Sequence, residues 1–535
     1  IPPGVTSIGE RAFCNCSNLT DLTIPDSVTD IGDFAFDACQ NLEEVWLPRH
    51  LEGKLSANVF ANCDRATVNY YDKAYTVTFR TEEGVVEQRQ CPTGTTVGTL
   101  PSTPTYAGYA FEGWWTAADG EQASEATVVT NDVTYYAKWR GTATVGDYTY
   151  AYSVLNGQAE IGTGEPEEFS EAAISPAPSG TVVIPSTLGG YPVTGIGEYA
   201  FESCTDMTDV EIPESVVSIR AEAFGGCEGL ANVEIPRNVM YIDVTAFGFC
   251  YRFTVDPANA VYSSRNGLLL SKDGRTLVRG VNGEVVIPSC VTEIGGSAFE
   301  GCRSLRSVVI PDGVLGIGTN AFQYCQALRN MTIPQSVTNI GTRAFVGCSS
   351  MENFSVDVAN GFYTSWEGML LTKDAEILIR GNMGNDGEVV IPDGVKVIGE
   401  FAFDDLLGLE YVTIPSSVTT IGDSAFEECW DLTQINIPNS VKTIGTRVFY
   451  RCMSLTSVTL PNSLTTIGSE VFAGCRSLTS IEIPRGVTEI GFDAFYGCTG
   501  LVSRVVIPDS VTNIEGGAFT WCKGLKEVWL PRGLE

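Results

Sequence analysis

An Ile-Pro or Leu-Pro pair returns along this chain at an almost fixed step, and that period constrains the fold more than any other feature. The pair begins at Ile1, Ile24 and Leu47, then at Ile184, Ile212, Ile235, Ile287, Ile310 and Ile333. It resumes at Ile391, Ile414, Ile437, Leu460, Ile483, Ile507 and Leu530. The step is 23 residues almost everywhere, 24 once and 28 once, with two longer gaps of 52 and 58 that each hold two repeats and an insertion. A clean copy runs from Ile414 through Val418, Ile421, Gly422, Ala425, Phe426 and Cys429 to Leu432 and Ile435. One such unit is too short to bury its own apolar face, so neighbouring units must stack and share a core.

Each apolar position has a local reading. In Val458-Thr459-Leu460 and Ile481-Glu482-Ile483 the period of two turns both apolar side chains to one face of a short strand. Proline ends that strand because it cannot donate to a ladder. The V-T-x-I step that follows predicts a second short extended segment. The glycine after it predicts a corner with positive φ. Ala-Phe then sits on a short helical or irregular turn, with Phe pointing inward.

The pattern I-P-x-S-V-T-x-I-G-x-x-A-F-x-x-C-x-x-L resembles the BspA-like leucine-rich repeats of bacterial and protozoan surface proteins. The resemblance covers residues 1–70 and about 184–535. It implies a mainly β leucine-rich-repeat solenoid of short parallel strands with short helical or irregular turns, displayed outside the cell and engaged in adhesion. Between about residues 73 and 140 the period breaks. Gly108-Tyr109-Ala110-Phe111-Glu112-Gly113-Trp114-Trp115 and the closing Tyr135-Tyr136-Ala137-Lys138-Trp139 resemble the Listeria–Bacteroides, or internalin B-type, repeat. That likeness implies a small β-grasp-like module, commonly a spacer in surface proteins.

The expected organisation is therefore a repeat segment at 1–72, the β module at 73–140, a lead-in at 141–183 and a second solenoid at 184–535. Asn156-Gly157 in the lead-in is a strong hairpin signal, and such a hairpin would cover the open end of the second stack. The two long gaps resemble each other: Phe253-Thr254-Val255-Asp256 matches Phe354-Ser355-Val356-Asp357, and Leu269-Leu270-Ser271-Lys272-Asp273 matches Leu370-Leu371-Thr372-Lys373-Asp374. Each is expected to be a β-hairpin insert, near 253–284 and 354–388. Because Ile1-Pro2 falls inside a repeat, the 535 residues read as a fragment whose signal and anchor lie elsewhere.

Composition narrows the function. A net charge of −33 opposes nucleic acid and anionic lipid, whose binding needs clustered Lys and Arg. No apolar run approaches the roughly 20 residues of a membrane helix. A single histidine, His50, leaves little room for Ser–His or Cys–His catalysis or a zinc site. No carboxylate pair stands out, so no cofactor, no metal and no enzyme activity are expected.

The 17 cysteines could suggest disulfides, but thirteen share one repeat position, among them Cys227, Cys302, Cys325, Cys348, Cys429, Cys452, Cys475 and Cys498. Stacked side chains pointing the same way are poorly placed to bridge, so these read as a reduced, buried ladder. Cys14, Cys63, Cys91 and Cys290 stand outside it.

Function is expected on the outward strand positions. Most are small, polar or acidic, including Glu482, whereas Trp46, Tyr411 and Trp529 stand out because exposed aromatics anchor interfaces. Glu44-Val45-Trp46-Leu47-Pro48-Arg49 recurs as Glu527-Val528-Trp529-Leu530-Pro531-Arg532. The first copy precedes the β module, which leads to the expectation of a second module beyond residue 535. The resulting picture is a monomeric, extracellular or cell-surface protein that binds a host or neighbouring-cell protein or glycan. The alternatives are a spacer for a functional domain outside the fragment and, last, a surface hydrolase.

Overall fold

A computed structural model describes residues 1, 4–116, 120–162, 172–248, 250–383, 386–502 and 504–530. It divides into two compact units, one of residues 1–169, 173–176 and 185–197 and the other of 170–172, 177–184 and 198–535.

In the second unit the repeat forms a coil with three sides. On the first side, strands Glu388–Val390, Tyr411–Thr413, Gln434–Asn436 and Ser457–Thr459 pair in parallel, with Tyr411 opposite Gln434 and Gln434 opposite Ser457. The V-T-x-I step makes the second side, where Val397–Ile398, Thr420–Ile421 and Thr443–Ile444 form another parallel ladder. The third is an irregular turn held by single bonds: the Phe426, Phe449 and Phe472 amides donate to Val448, Val471 and Ala494 at 2.8–2.9 Å. Both ladders and the turn advance one coil per repeat, so the apolar positions superpose. Phe403, Phe426, Phe449, Phe472, Phe495 and Phe519 form a continuous stack with ring centroids 4.9–5.5 Å apart. This is the shared core that the short period demands. Among the described residues the one helical element is a 3₁₀ turn at Arg49–Leu51, so the Ala-Phe segment takes the irregular alternative.

The repeat glycine has a different cause from the one expected. Its φ is not positive; instead, a β-carbon on Gly341, Gly422 or Gly445 would come within 2.4–2.7 Å of a backbone nitrogen in the preceding coil. Glycine is required because two coils approach there. Positive φ falls two residues after the glycine, as at Ser424, Arg447 and Glu470 at 53–55°, and is tolerated in ordinary side chains.

In the first unit, Asp21–Thr23, Glu44–Pro48 and Thr67–Tyr71 continue one parallel ladder. His50 sits against it, its Nε2 2.8 Å from the carbonyl of Val28. Ala74–Thr81 and Gly84–Pro92 form an antiparallel hairpin. The long strand Val133–Val145 lies parallel to Ala74–Thr81 and antiparallel to both Ala110–Trp115 and Tyr148–Leu155. Phe79, Trp114, Tyr135, Phe111 and Trp139 fill the centre with ring centroids 5.2–5.5 Å apart. Asn156 and Gly157, both at positive φ, make the expected turn between Tyr148–Leu155 and Gln158–Ile161, and the latter strand runs parallel to Tyr191–Ile196. Part of the lead-in, residues 163–171, lies outside the described residues.

Each long gap is more than a hairpin. Tyr262–Arg265, Leu268–Ser271 and Thr276–Arg279 form a three-stranded antiparallel meander, and Tyr363–Trp366, Met369–Thr372 and Ile377–Arg380 repeat it. The third strand of each then joins the second-side ladder in parallel, Leu277 opposite Ile294 and Leu378 opposite Ile398. An insert thus carries the chain through two sides of a coil and omits the Ala-Phe turn.

Candidate functional site

Most of the cysteine ladder belongs to the core, although Cys16, at the same repeat position, is exposed and Cys522 is half-buried. Cys227, Cys302, Cys325, Cys348, Cys429, Cys452, Cys475 and Cys498 are all buried. The thiols of Cys325, Cys348, Cys429, Cys452, Cys475 and Cys498 donate at 3.0–3.2 Å to the carbonyl of a Phe in the preceding coil. Cys63 makes the same bond to Phe36 at 3.0 Å and joins the ladder, contrary to its expected place outside. Burial pushes these thiols up, Cys348 to about 12, which suppresses the nucleophilic thiolate. The position calls for a short side chain with one weak donor, and where the repeat departs from Cys, Leu406 is fully buried in its place.

The outward positions on the first side follow the alternation. Tyr411 is 37% exposed and Trp529 52%, whereas Trp46 is half-buried. The recurring E-V-W motif has a local reason: Trp46 Nε1 donates to Glu44 at 3.3 Å and Trp529 Nε1 donates to Glu527 at 2.7 Å. Each carboxylate steadies the indole two residues ahead on the same face. Arg504 lies over the Trp529 ring, 4.3 Å from its centroid, and Val506 is its partner in register. The copies end at Leu530 for this purpose, since Pro531 and Arg532 lie outside the described residues. Glu482 is exposed in the column of Thr459 and Trp529, although residues 480–482 form no assigned strand.

Tyr411 and Trp529 do not converge. Tyr411 lies five coils before Trp529, roughly 24 Å at ~4.8 Å per coil, and in a different column. Trp46 belongs to the other unit. The face is also less polar than expected: Val286 and Val309, paired in register, and Val390 are all more than half exposed. The signal was present, since the same alternation applied to Glu284-Val285-Val286-Ile287 turns the second valine outward.

A family profile for the BspA type leucine rich repeat region matches residues 1–80, 189–261, 282–363, 383–502 and 442–535, well over half of the chain. The chain belongs to this family. A second profile, the Listeria–Bacteroides repeat domain, matches residues 75–138. The BspA-type chain is similar to a leucine rich cell surface protein of Faecalibacterium prausnitzii A2-165, at 29% identity over 72% of this chain and 94% of that one, with a TM-score of 0.41. A leucine-rich repeat protein of Bacteroides ovatus ATCC 8483 shares 24% identity over 74% and 89%, with a TM-score of 0.33. The pneumococcal vaccine antigen PcpA shares 19% over 73% and 99%, with a TM-score of 0.34. No curated protein matches the sequence.

Among the described residues of this BspA-type chain, no group of three or more His, Cys, Asp or Glu is placed to hold a metal ion, and no helix is long and apolar enough to cross a membrane. Cys14 Sγ faces the Asp37 carboxylate at 3.7 Å. Beside the second insert, burial raises the carboxyls of Asp404, to about 7, and Asp405, to about 6.

Proposed function

We propose that this chain is a non-catalytic, surface-displayed binding protein whose first-side ladder engages a protein or glycan of a host or neighbouring cell. The observation that carries this reading is the cluster around Trp529: an exposed indole held by Glu527, covered on one face by Arg504 and flanked by exposed Val506. An aromatic ring with an apolar neighbour and an arginine is the composition of an interface anchor. Trp46, Tyr411, Glu44 and Glu482 are secondary positions of the same kind.

Alanine at Trp46, Tyr411 and Trp529, compared with the parent on glycan and host-matrix arrays, tests the proposal. Binding should fall at least tenfold with Trp529→Ala and less with the other two. Unchanged binding by folded variants would reject the ladder face and favour a spacer carrying a functional domain elsewhere. That second reading is supported by the separation of Tyr411 and Trp529, roughly 24 Å at ~4.8 Å per coil.

A further inference from the structure

The turn side of the coil is held by amides that donate from one coil to the next. Asn320, Phe322 and Tyr324 donate to Thr342, Ala344 and Val346 at 3.2, 2.8 and 2.8 Å. One coil further, the equivalent donors are Arg343, Phe345 and Gly347. The second insert omits the turn that would receive them. Gly347 N–H is met by the Asp404 carboxylate at 3.0 Å, but the amides of Arg343 and Phe345 find no partner among the described residues. They are two residues apart, the spacing at which Asn320, Phe322 and Tyr324 meet acceptors in the next coil.

Both residues line a cavity of about 300 Å³ walled by Ile340, Ala344, Ile377 and Ile379. Arg380 lines it too. That side chain is 2% exposed; its terminal nitrogens donate to the carbonyls of Phe401 and Asp404 at 2.6 and 2.7 Å, while its Nε has no partner. A second cavity of about 370 Å³ shares Arg343, Val346 and Phe401 with the first and is lined by Asp404, Asp405, Glu427 and Glu428. Arg447 pairs with Glu427 at 2.6 Å and Arg451 with Glu428 at 3.0 Å. Asp404 and Asp405 have no salt-bridge partner among the described residues, and the Arg380 guanidinium near them is already bonded to carbonyls.

The wedge thus joins three N–H groups without partners, an apolar wall and two carboxylates without a salt bridge; the Arg343 guanidinium, 4.8 Å from the centre of the Phe401 ring, lines it as well. Phe345 and Arg380 are buried, where donors without partners are costly, and the amides of Arg343 and Phe345 ask for carbonyl oxygens two residues apart. A free anion would satisfy the donors but meet the carboxylates. A polypeptide brings carbonyls, an apolar side chain and a cation together, and adding a strand to an open edge is a recurrent mode of peptide recognition. Each cavity is at the lower end of the roughly 300–1,000 Å³ typical of ligand sites. We propose that this wedge binds an extended segment of a partner protein carrying lysine or arginine, which enters as the arc the second insert lacks, its carbonyls accepting from Arg343 and Phe345 and its cation facing Asp404 and Asp405. The site uses no residue of the ladder face and stands or falls separately from it.

The probe is a positional-scanning library of acetylated, amidated pentapeptides offered to the whole chain. Lysine or arginine should be enriched over glutamate at one position at least tenfold. Binding of the selected peptide should slow hydrogen exchange across residues 341–348 at least tenfold. Ile379→Trp, which fills the cavity from a half-buried position, should abolish binding, whereas Val278→Trp at the matching position of the first insert should not. Asp405→Asn should remove the basic preference, and this arm decides the matter if Ile379→Trp does not fold. Trp529→Ala should leave peptide binding unchanged. No basic enrichment, unaltered exchange over 341–348, or a basic preference that survives Asp405→Asn would overturn the proposal.

Discussion

The two inserts of the second unit follow the same strand plan, yet the buried arginine of one bridges the coils on both sides of the omitted turn and that of the other reaches one side only. In both, a buried asparagine ties the insert to the coil before it. Asn259 donates to Pro236 and Val239 and accepts from the amides of Val261 and Tyr262; Asn360 repeats this with Pro334, Val337, Phe362 and Tyr363, every bond at 2.8–3.0 Å. In both, a tyrosine hydroxyl accepts from an amide of that coil at 2.9 Å. Both then place an arginine, 2% exposed, where the omitted turn would lie.

There the likeness ends. Arg279 donates through Nε to Phe247 at 2.9 Å and through its terminal nitrogens to Ser297 and Glu300 at 2.7 and 2.6 Å, spanning the coils on either side. Arg380 reaches only the following coil. The second gap also has a longer path from its ladder cysteine to the next core phenylalanine, Cys348 to Phe354 against Cys250 to Phe253. In that copy Arg380 Nε has no acceptor among the described residues. Outside, Pro257, Val261 and Arg265 of the first insert become Val358, Phe362 and Trp366 in the second, where Val358 is 95% exposed. A scaffold duplicated in sequence is thus bridged by its arginine to both neighbouring coils at one copy and to one coil only, with a more apolar exterior, at the other.

The largest test of this contrast replaces the two arginines. Arg279→Met strands three carbonyl acceptors and should destabilise the surrounding coils by roughly 3–5 kcal/mol, whereas Arg380→Met should cost about 1–2 kcal/mol less. Urea unfolding, with hydrogen exchange over residues 295–302 and 399–405, measures both, since a stacked repeat can open locally. Equal losses would break the comparison.

A smaller effect is expected from pH. Burial raises Asp404 to about 7 and Asp405 to about 6, above the ~3.9 of an unfolded aspartate. The unfolded chain therefore ionises first, so the second unit loses stability as pH rises through these values. Its melting temperature should be higher at pH 5 than at pH 8, and Asp404→Asn should flatten the difference. A rise in stability from pH 5 to 8 that Asp404→Asn leaves intact would contradict the buried, unpaired state of this carboxyl.

The smallest change should come from exchanging the exteriors. Trp366→Arg and Arg265→Trp alter exposed side chains and should each move stability by less than about 0.5 kcal/mol. A larger loss with Trp366→Arg, read as a fall in melting temperature, would make that ring part of the scaffold and not of its exterior.

Much of the architecture was legible in the residues. The alternation in Tyr411-Val412-Thr413 and Gln434-Ile435-Asn436 gives strand, facing and column at once, because each side chain's direction follows from local geometry. Trp529 and Tyr411 were readable as exposed aromatics for the same reason. The exposed valines Val286, Val309 and Val390 follow the same rule. The wedge was not legible. Its donors at 343 and 345 and its acids at 404 and 405 are some sixty residues apart, and only a missing arc brings them to one space.

The sequence by itself determined the period, the inward Phe and Cys, and the places where the coil is interrupted, since all of these are written in spacing along one strand or turn. Tertiary structure alone decided why Gly422 must be glycine, which carbonyls Arg279 and Arg380 could reach, and which amides were left over. Those outcomes depend on how closely one coil approaches the next, and that distance is set by everything packed between them.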